Sequence, residues 1–135
     1  MSNGRQLMER YLGAMNDGNV DDMEEYLAAD YKQIIYGLPE VNGIEEAKGY
    51  VSTLRSALSN LNQTIDDVID SGDKIAMRAT IRGVHTGELR GIPPSGNQIE
   101  MPYVAFAYVV DGKVSRIYIS LDKFGYLQQL GAIPR

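Results

Sequence analysis

The stretch that decides the fold of this chain is residues 98–121, which read QIEMPYVAFAYVVDGKVSRIYISL. Two long runs that read as strands flank Asp111-Gly112, a residue pair typical of the tight turn of a β-hairpin. We therefore predict one strand over residues 98–110 and a second over residues 113–121, paired antiparallel. This hairpin places the C-terminal part of the chain in a β-sheet.

The sheet extends towards the N-terminus, because apolar and polar residues also alternate over residues 74–85. Ser71-Gly72-Asp73 predicts a tight turn that joins this strand to another over residues 63–70. Residues 86–97 contain Pro93-Pro94 and are predicted to form a loop. A short strand is expected over residues 31–36.

Apolar residues at helical spacing predict three helices before the long strands. The first spans Arg5 to Asn16, the second runs from an N-cap at Asn19 to Ala29, and the third spans Ile44 to Asn60. A fourth, short helix is expected from Lys123 to Leu130. Asp122 stands at its N-cap position and Gly131 follows its end.

Helices first and long strands last predict an α+β fold, and five twisted strands must curl into a cone that the helices cover. The cone interior is the expected pocket. At 135 residues, the chain has the length of a single domain, residues 1–135.

Composition excludes several classes of protein. The chain has no cysteine, which rules out disulfides, thiolate nucleophiles and cysteine zinc sites. Its net charge of -5 disfavours nucleic acid and anionic membranes as partners. Without a secretory signal or an apolar membrane span, a cytoplasmic location and a small, largely apolar ligand are expected.

Two residues are candidates for proton transfer. His85 is the only histidine and ends a predicted strand, where it could donate a hydrogen bond or carry a proton at the pocket rim, or be a turn histidine bonded to backbone. Asp122 follows the alternation of Arg116, Tyr118 and Ser120, so its carboxylate points into the pocket if that face lines the pocket. Helix capping competes for the same carboxylate.

The nine tyrosines offer rings that bind an apolar ligand and hydroxyls that orient it. Tyr36, Tyr50, Tyr103 and Tyr118, together with Gln33, are the candidate substrate-binding residues. The alternative is that most tyrosines are core or interface residues. The acidic group at residues 21–25 is read as a solvated helix face, and no metal site is predicted.

Residues 82–96, RGVHTGELRGIPPSG, and residues 121–131, LDKFGYLQQLG, resemble the two hallmark stretches of the SnoaL-like polyketide cyclases. The resemblance covers nearly the whole chain. It implies the cone fold of the NTF2-like superfamily, a homodimer or homotetramer built through the sheet, and no cofactor. It also implies that Asp122 is the general acid/base of an intramolecular aldol closure and that His85 matches a family histidine. Ile34 and Ile117 stand where many relatives carry histidines.

The leading hypothesis from the sequence is a cofactor-free cyclase or isomerase that acts on a polyketide-like or other hydrophobic carbonyl compound. In this hypothesis Asp122 moves a proton, and His85 and a tyrosine hold an oxygen. Two alternatives remain, namely an epoxide or lactone hydrolase on the same fold and a hydrophobic-ligand-binding module without catalysis.

Overall fold

The structure, a computed structural model, describes residues 4–134. Its strands in chain order are β1 Leu27–Ile35, β2 Val41–Asn42, β3 Leu58–Asp70, β4 Lys74–His85, β5 Gln98–Val110 and β6 Lys113–Leu121. Its α-helices are α1 Gly4–Asp17, α2 Gly43–Ala57 and α3 Lys123–Gln129. No helix within residues 4–134 is both long and apolar enough to cross a membrane.

All six strands belong to one sheet with the order β2-β1-β6-β5-β4-β3. Every neighbouring pair is antiparallel except β1 and β6, which run parallel, so the sheet is mixed. The predicted α+β fold, helices on a curved and mostly antiparallel sheet with a short C-terminal helix, is confirmed. The sequence pattern missed β2, which has only two residues.

The hairpin at the centre of the sheet forms as predicted. Asp111 and Gly112 have φ angles of 53° and 76°, the left-handed conformations that a two-residue hairpin turn of type I′ requires. The bounds predicted for β4, β5 and β6 agree with the structure. Strong alternation and a turn pair with its own conformational preference explain this agreement.

The helix predicted from Asn19 to Ala29 is wrong. The segment contains a turn and a 3₁₀ helix at Met23–Glu25, and β1 begins at Leu27. Leu27 pairs with Val114 of β6, and the Val114 amide donates to the Tyr26 carbonyl at 2.8 Å. Pairing with β6 therefore overrides the local helical pattern.

The predicted end of the third helix, at Asn60, is also wrong. Helix α2 stops at Ala57, and Leu58 is already extended, with φ and ψ of −121° and 112°. Leu58 and Ser59 pair with His85 and Val84, so β3 begins five residues before the predicted Gln63. A register shift between Ser59 and Asn62 accommodates this extension.

The sheet has two unlike faces. The inner face packs against α1 and α2, and on β5 it presents Met101, Tyr103 and Ala105, all buried. The outer face carries the alternate residues, among them Val104 and Phe106, which are exposed. Strand alternation thus separates a packed interior from an open surface.

Candidate functional site

A small cavity lies between the helices and the inner face of the sheet. Its volume is about 70 Å³, whereas cavities that hold drug-sized ligands measure about 300–1,000 Å³. Side chains therefore fill most of the interior. The polar or charged residues that line the cavity are Tyr11, Tyr50, Thr53, Gln63, Arg90, Tyr103 and Tyr126.

No aspartate, glutamate or histidine is among the described residues that line this cavity. The remaining lining is aliphatic or methionine, with side chains such as Ile81, Leu89 and Ile119. The interior is thus an apolar space with several phenol hydroxyls and one guanidinium at its boundary. Such a lining suits an apolar molecule that carries oxygen atoms, but at about 70 Å³ the cavity must widen before it can hold a ring system.

One hydrogen-bonded cluster joins α1 to β1. The hydroxyl oxygens of Tyr11 and Tyr31 lie 2.7 Å apart, and they lie 2.9 and 3.2 Å from Gln33 Oε1. Burial raises the pKa of Tyr11, with a further contribution from Tyr31, and burial also raises the pKa of Tyr31. Both phenols therefore stay protonated at neutral pH. The buried Gln33 Nε2 has no hydrogen-bond partner among the described residues.

A second cluster joins α1, β3 and β5. The Tyr103 hydroxyl donates a short hydrogen bond to Gln63 Oε1, and Gln63 Nε2 lies 2.9 Å from Met15 Sδ. Burial raises the pKa of Tyr103 well above its usual value. The phenol is therefore a neutral donor and not a base at physiological pH.

Arg90, Tyr50 and Tyr126 form the rim of the cavity, where they line it from the loop, α2 and α3. Burial raises the pKa of Tyr50, and burial raises the pKa of Tyr126 to about 12. The positive charge of Arg90 opposes both shifts. Because burial is the larger cause, both phenols stay neutral at physiological pH.

Asp122 occupies the junction of β6 and α3. Its carboxylate is exposed, and Oδ1 accepts a hydrogen bond from the Gly125 amide at 3.0 Å. The predicted N-cap is therefore present, and Asp122 is not among the residues that line the cavity. The next residue back, Leu121, does line the cavity.

The condition under which the Asp122 carboxylate would point into the pocket is not met, because the face of β6 that it shares does not line the cavity. On β6 the cavity is lined by Ile119 and Leu121, whereas Arg116, Tyr118 and Ser120 open onto the outer surface. Asp122 continues the outer alternation. The apolar residues at the buried positions of β6 were visible in the sequence and could have identified the inner face.

His85 ends β4 as predicted but lies beneath the loop of residues 86–97, fully buried, and does not line the cavity. Its Nδ1 accepts from the Ser95 amide at 3.2 Å and lies 3.0 Å from Ser95 Oγ. In the neutral ring the proton is then on Nε2, which has no partner among the described residues. The prediction of a rim histidine is wrong, because the loop folds back over the strand end.

The five candidate substrate-binding residues separate into two groups. Tyr50 and Tyr103 line the cavity, and Gln33 is buried beside it. Tyr36 is 64% exposed and its ring lies 6.5 Å from that of Tyr118, on the outer face. The placement of Tyr36 and Tyr118 in the pocket is therefore wrong, since both belong to the outer alternation.

Sequence reasoning missed several cavity residues. Tyr11 lies on the apolar stripe of α1, and Gln63 is a polar residue at an inner position of β3, so each had a pattern that could have identified it. Arg90 had none, because residue periodicity does not extend into a loop. The cavity lining therefore contains more tyrosine and glutamine than expected and, among the described residues, no carboxylate or imidazole.

Comparison with known proteins identifies the family. Residues 5–130 match the family described as SnoaL-like polyketide cyclase. The chain is 27% identical to the aklanonic acid methyl ester cyclase DnrD of Streptomyces peucetius over 134 residues, which cover 97% of this chain and 92% of that protein. It is also 27% identical to the nogalonic acid methyl ester cyclase of Streptomyces nogalater, with 89% and 91% covered.

Solved structures agree with this assignment. TsrD from Streptomyces laurentii superposes with a TM-score of 0.87 at 28% identity, covering 98% of this chain and 99% of that chain. A SnoaL-like polyketide cyclase from Agrobacterium tumefaciens shares the fold, with a TM-score of 0.80 at 17% identity over 97% and 100% of the two chains. The fold, the enclosed apolar cavity and the match over almost the whole sequence lead to one assignment: this chain belongs to the SnoaL-like polyketide cyclase family.

Proposed function

We propose that this protein closes a ring in a small polyketide-like carbonyl compound by an intramolecular aldol-type reaction, without a cofactor. The observation that carries the proposal is an enclosed apolar cavity bordered by neutral phenols, in a chain that matches ring-closing cyclases over 97% of its length. Once it widens to admit substrate, such a cavity holds a flexible chain in one geometry, and orienting reacting groups can lower a barrier by about 7–11 kcal/mol.

The reaction needs a base, a donor and no external reactant. The base removes a proton from a carbon between two carbonyls, the resulting carbanion forms a bond to a third carbonyl carbon, and the alkoxide takes the proton back. Protons and electrons therefore balance within the substrate and one side chain. The neutral phenol of Tyr50 is suited to donate a hydrogen bond to the enolate oxygen that forms, whereas the single proton of the Tyr103 hydroxyl is already donated to Gln63.

Asp122 is the proposed base. The support for the role is the resemblance of residues 121–131 to the cyclase family that the chain matches over residues 5–130. Because the carboxylate faces away from the cavity that the neighbouring Leu121 lines, the role requires the junction of β6 and α3 to turn it inward when substrate enters. The cap bond from Gly125 occupies Oδ1, so Oδ2 keeps its lone pairs for a substrate that projects from the cavity. His85 takes no part in this proposal and supports the loop that carries Arg90.

Substrate entry requires movement, since about 70 Å³ cannot hold a ring system. Leu89 and Arg90 of the loop of residues 86–97 and Tyr126 of α3 belong to the cavity lining. We propose that these two segments move apart when substrate binds. The size of this displacement limits how large a substrate can bind.

The test separates capping from catalysis. Asp122→Asn keeps a good N-cap, whereas Asp122→Ala removes the cap and costs about 0.5–2 kcal/mol of stability. With aklanonic acid methyl ester as the probe, Asp122→Asn should fold like the wild-type protein and cyclise at least about 100-fold more slowly. An unchanged rate in Asp122→Asn contradicts the role of Asp122, and a wild-type protein that binds the probe without turnover contradicts the proposed reaction.

A second candidate function is ligand binding without catalysis. It is favoured by the lining itself, in which the described residues include no carboxylate and no imidazole. The same assay distinguishes it, since a binding module takes up the probe and returns it unchanged. The hydrolase alternative has no comparable observation in its favour.

We further propose that two copies of the chain associate through the outer face of the sheet. Ile69, Val104 and Phe106 are 70%, 51% and 40% exposed there, on β3 and β5. Ala76 of β4 lies between Ile69 and Phe106 in the strand register. An apolar strip across three strands is typical of a surface that a second copy covers. Light scattering should give a dimer for the wild-type protein and a monomer for Val104→Lys. A wild-type monomer at micromolar concentration contradicts this proposal.

A further inference from the structure

We infer that Tyr11 is a second hydrogen-bond donor to a carbonyl or enolate oxygen of the substrate, and that Tyr31 releases Tyr11 for this role by replacing it as the partner of Gln33. The inference rests on the proposed function for the presence of a carbonyl compound in the cavity. It adds a residue of α1 that contacts the substrate, and a residue outside the cavity lining on which that contact depends.

The first support is a count of the protons in the cluster of Tyr11, Tyr31 and Gln33. The two hydroxyl oxygens lie 2.7 Å apart, and Gln33 Oε1 lies 2.9 Å from the Tyr11 hydroxyl and 3.2 Å from the Tyr31 hydroxyl. Each phenol has one proton, and the amide oxygen has none. Two protons therefore serve three contacts, and either tyrosine can donate to Gln33 Oε1.

The second support is the position of Tyr11 in the cluster. Tyr11 lines the cavity, whereas Tyr31 and Gln33 do not, and Tyr31 is 1% exposed. When Tyr31 donates to Gln33 Oε1, the Tyr11 proton is not needed within the cluster. Tyr11 can then donate to an oxygen in the cavity, and no buried acceptor loses its hydrogen bond.

Tyr103 lacks this freedom, although it also lines the cavity. Its proton is donated to Gln63 Oε1, and no second hydroxyl among the described residues bonds to that oxygen. Turning the Tyr103 hydroxyl towards a substrate would leave a buried acceptor unpaired, which is costly. A replacement donor is therefore what distinguishes Tyr11 from Tyr103.

The third support is an excess of donors in the cluster. Burial raises the pKa of Tyr11 and of Tyr31, so both are neutral donors at physiological pH. Gln33 Nε2, also a donor, is the one polar side-chain atom of the cluster without a partner among the described residues, since all three oxygens have partners. Such a cluster favours a ligand that supplies an acceptor, as a ketone or an enolate oxygen does.

The experiment measures binding of aklanonic acid methyl ester by calorimetry in Tyr11→Phe and Tyr31→Phe. Each variant keeps one phenol that can donate to Gln33 Oε1, so both should fold like the wild-type protein. Tyr11→Phe should bind the ester about 10-fold more weakly and close the ring at least about 10-fold more slowly. Tyr31→Phe should weaken binding by a similar factor, because Gln33 Oε1 then competes for the Tyr11 proton.

Tyr26→Phe is the matched control. Tyr26 is as buried as Tyr31, at 2% exposed, and does not line the cavity. Its hydroxyl has no hydrogen-bond partner among the described residues. This variant removes a phenol hydroxyl from the same core and should bind the ester like the wild-type protein.

A rescue variant tests the exchange of partners. Gln33→Leu in the Tyr31→Phe background removes the competing acceptor, so the Tyr11 proton is free again. Binding of the ester should recover to within about 3-fold of the wild-type affinity. Circular dichroism of each variant checks that the fold is intact. A purely structural role of Tyr31 predicts no such recovery.

Unchanged affinity in Tyr11→Phe overturns the contact with the substrate. Unchanged affinity in Tyr31→Phe, or no recovery in a folded rescue variant, overturns the exchange of partners. Because the readout is equilibrium binding, a protein that binds the ester through Tyr11 and never closes the ring supports the inference and contradicts only the proposed reaction. Ring closure at the wild-type rate in Tyr11→Phe contradicts the inference alone, and a wild-type protein that does not bind the ester contradicts both.

Discussion

The inner and outer faces of one sheet use the same residue type for different purposes. On the inner face Tyr103 is 9% exposed and its hydroxyl bonds to Gln63. On the outer face Tyr108 and Tyr118 stack edge to face, with ring centres 6.0 Å apart, and Arg116 lies over Tyr108 at 4.7 Å. The side of the strand on which a tyrosine lies therefore decides whether its hydroxyl can contact a substrate in the cavity.

Alkaline pH should show the largest difference between the faces. Burial raises the pKa of the inner tyrosines above 10, to about 12 for Tyr126, with raised values also for Tyr11, Tyr31, Tyr50 and Tyr103. Their contribution to stability is complete below pH 10, where the unfolded chain is also protonated, and is lost as the pH rises towards 12. We expect global unfolding in that window.

Phenolate absorbance at 295 nm and circular dichroism, recorded together against pH, check this expectation. The inner tyrosines should ionise only as the circular dichroism signal is lost. Ionisation of all nine tyrosines with the fold intact would show that the inner face is open to water.

A matched pair of isoleucines gives the next largest effect. Ile117 on the inner face is 0% exposed, and Ile69 on the outer face is 70% exposed. Ile117→Ala should lower the free energy of unfolding by about 2–5 kcal/mol, and Ile69→Ala should change it by no more than about 0.5 kcal/mol in the monomer. Urea unfolding at low protein concentration measures both. Similar losses at the two positions would contradict the assignment of the faces.

A pair of tyrosines gives the smallest effect. Tyr103→Phe removes a donor and leaves the buried Gln63 Oε1 without its partner, which should cost about 1–3 kcal/mol. Tyr108→Phe, half-buried on the outer face, should change stability by less than about 0.5 kcal/mol. Thermal unfolding of the two variants measures the difference in stability loss between the two positions. Equal effects would mean that the hydrogen bond from Tyr103 to Gln63 contributes nothing to the stability of the fold.

Much of the fold could be predicted from local sequence patterns. The parts that could not be predicted depend on contacts between distant segments of the chain. Alternation or a turn pair predicted the strands over residues 74–85, 98–110 and 113–121, with the correct bounds. The segment 19–29 had helical spacing, but its pairing with β6 is a contact across the chain that no local pattern contains.

The site was harder to predict than the fold. Asp122 was placed in the cavity on condition that the face it shares with Tyr118 lines the pocket, although the apolar Ile117 and Ile119 on the same strand, both buried, mark the opposite face as internal. Arg90 lies in a loop, where only the folded chain shows that its turn meets α2 and α3 at the rim. The identity of the rim residues therefore depends on tertiary structure.

A crystal structure of the protein with aklanonic acid methyl ester bound tests most directly whether the inner face holds the substrate. We expect the ligand inside an enlarged cavity, with an oxygen within hydrogen-bond distance of the Tyr50 hydroxyl and the loop of residues 86–97 moved away from α3. A ligand seated on the outer face beside Phe106 and Tyr118, with the inner cavity still near 70 Å³, would contradict the account.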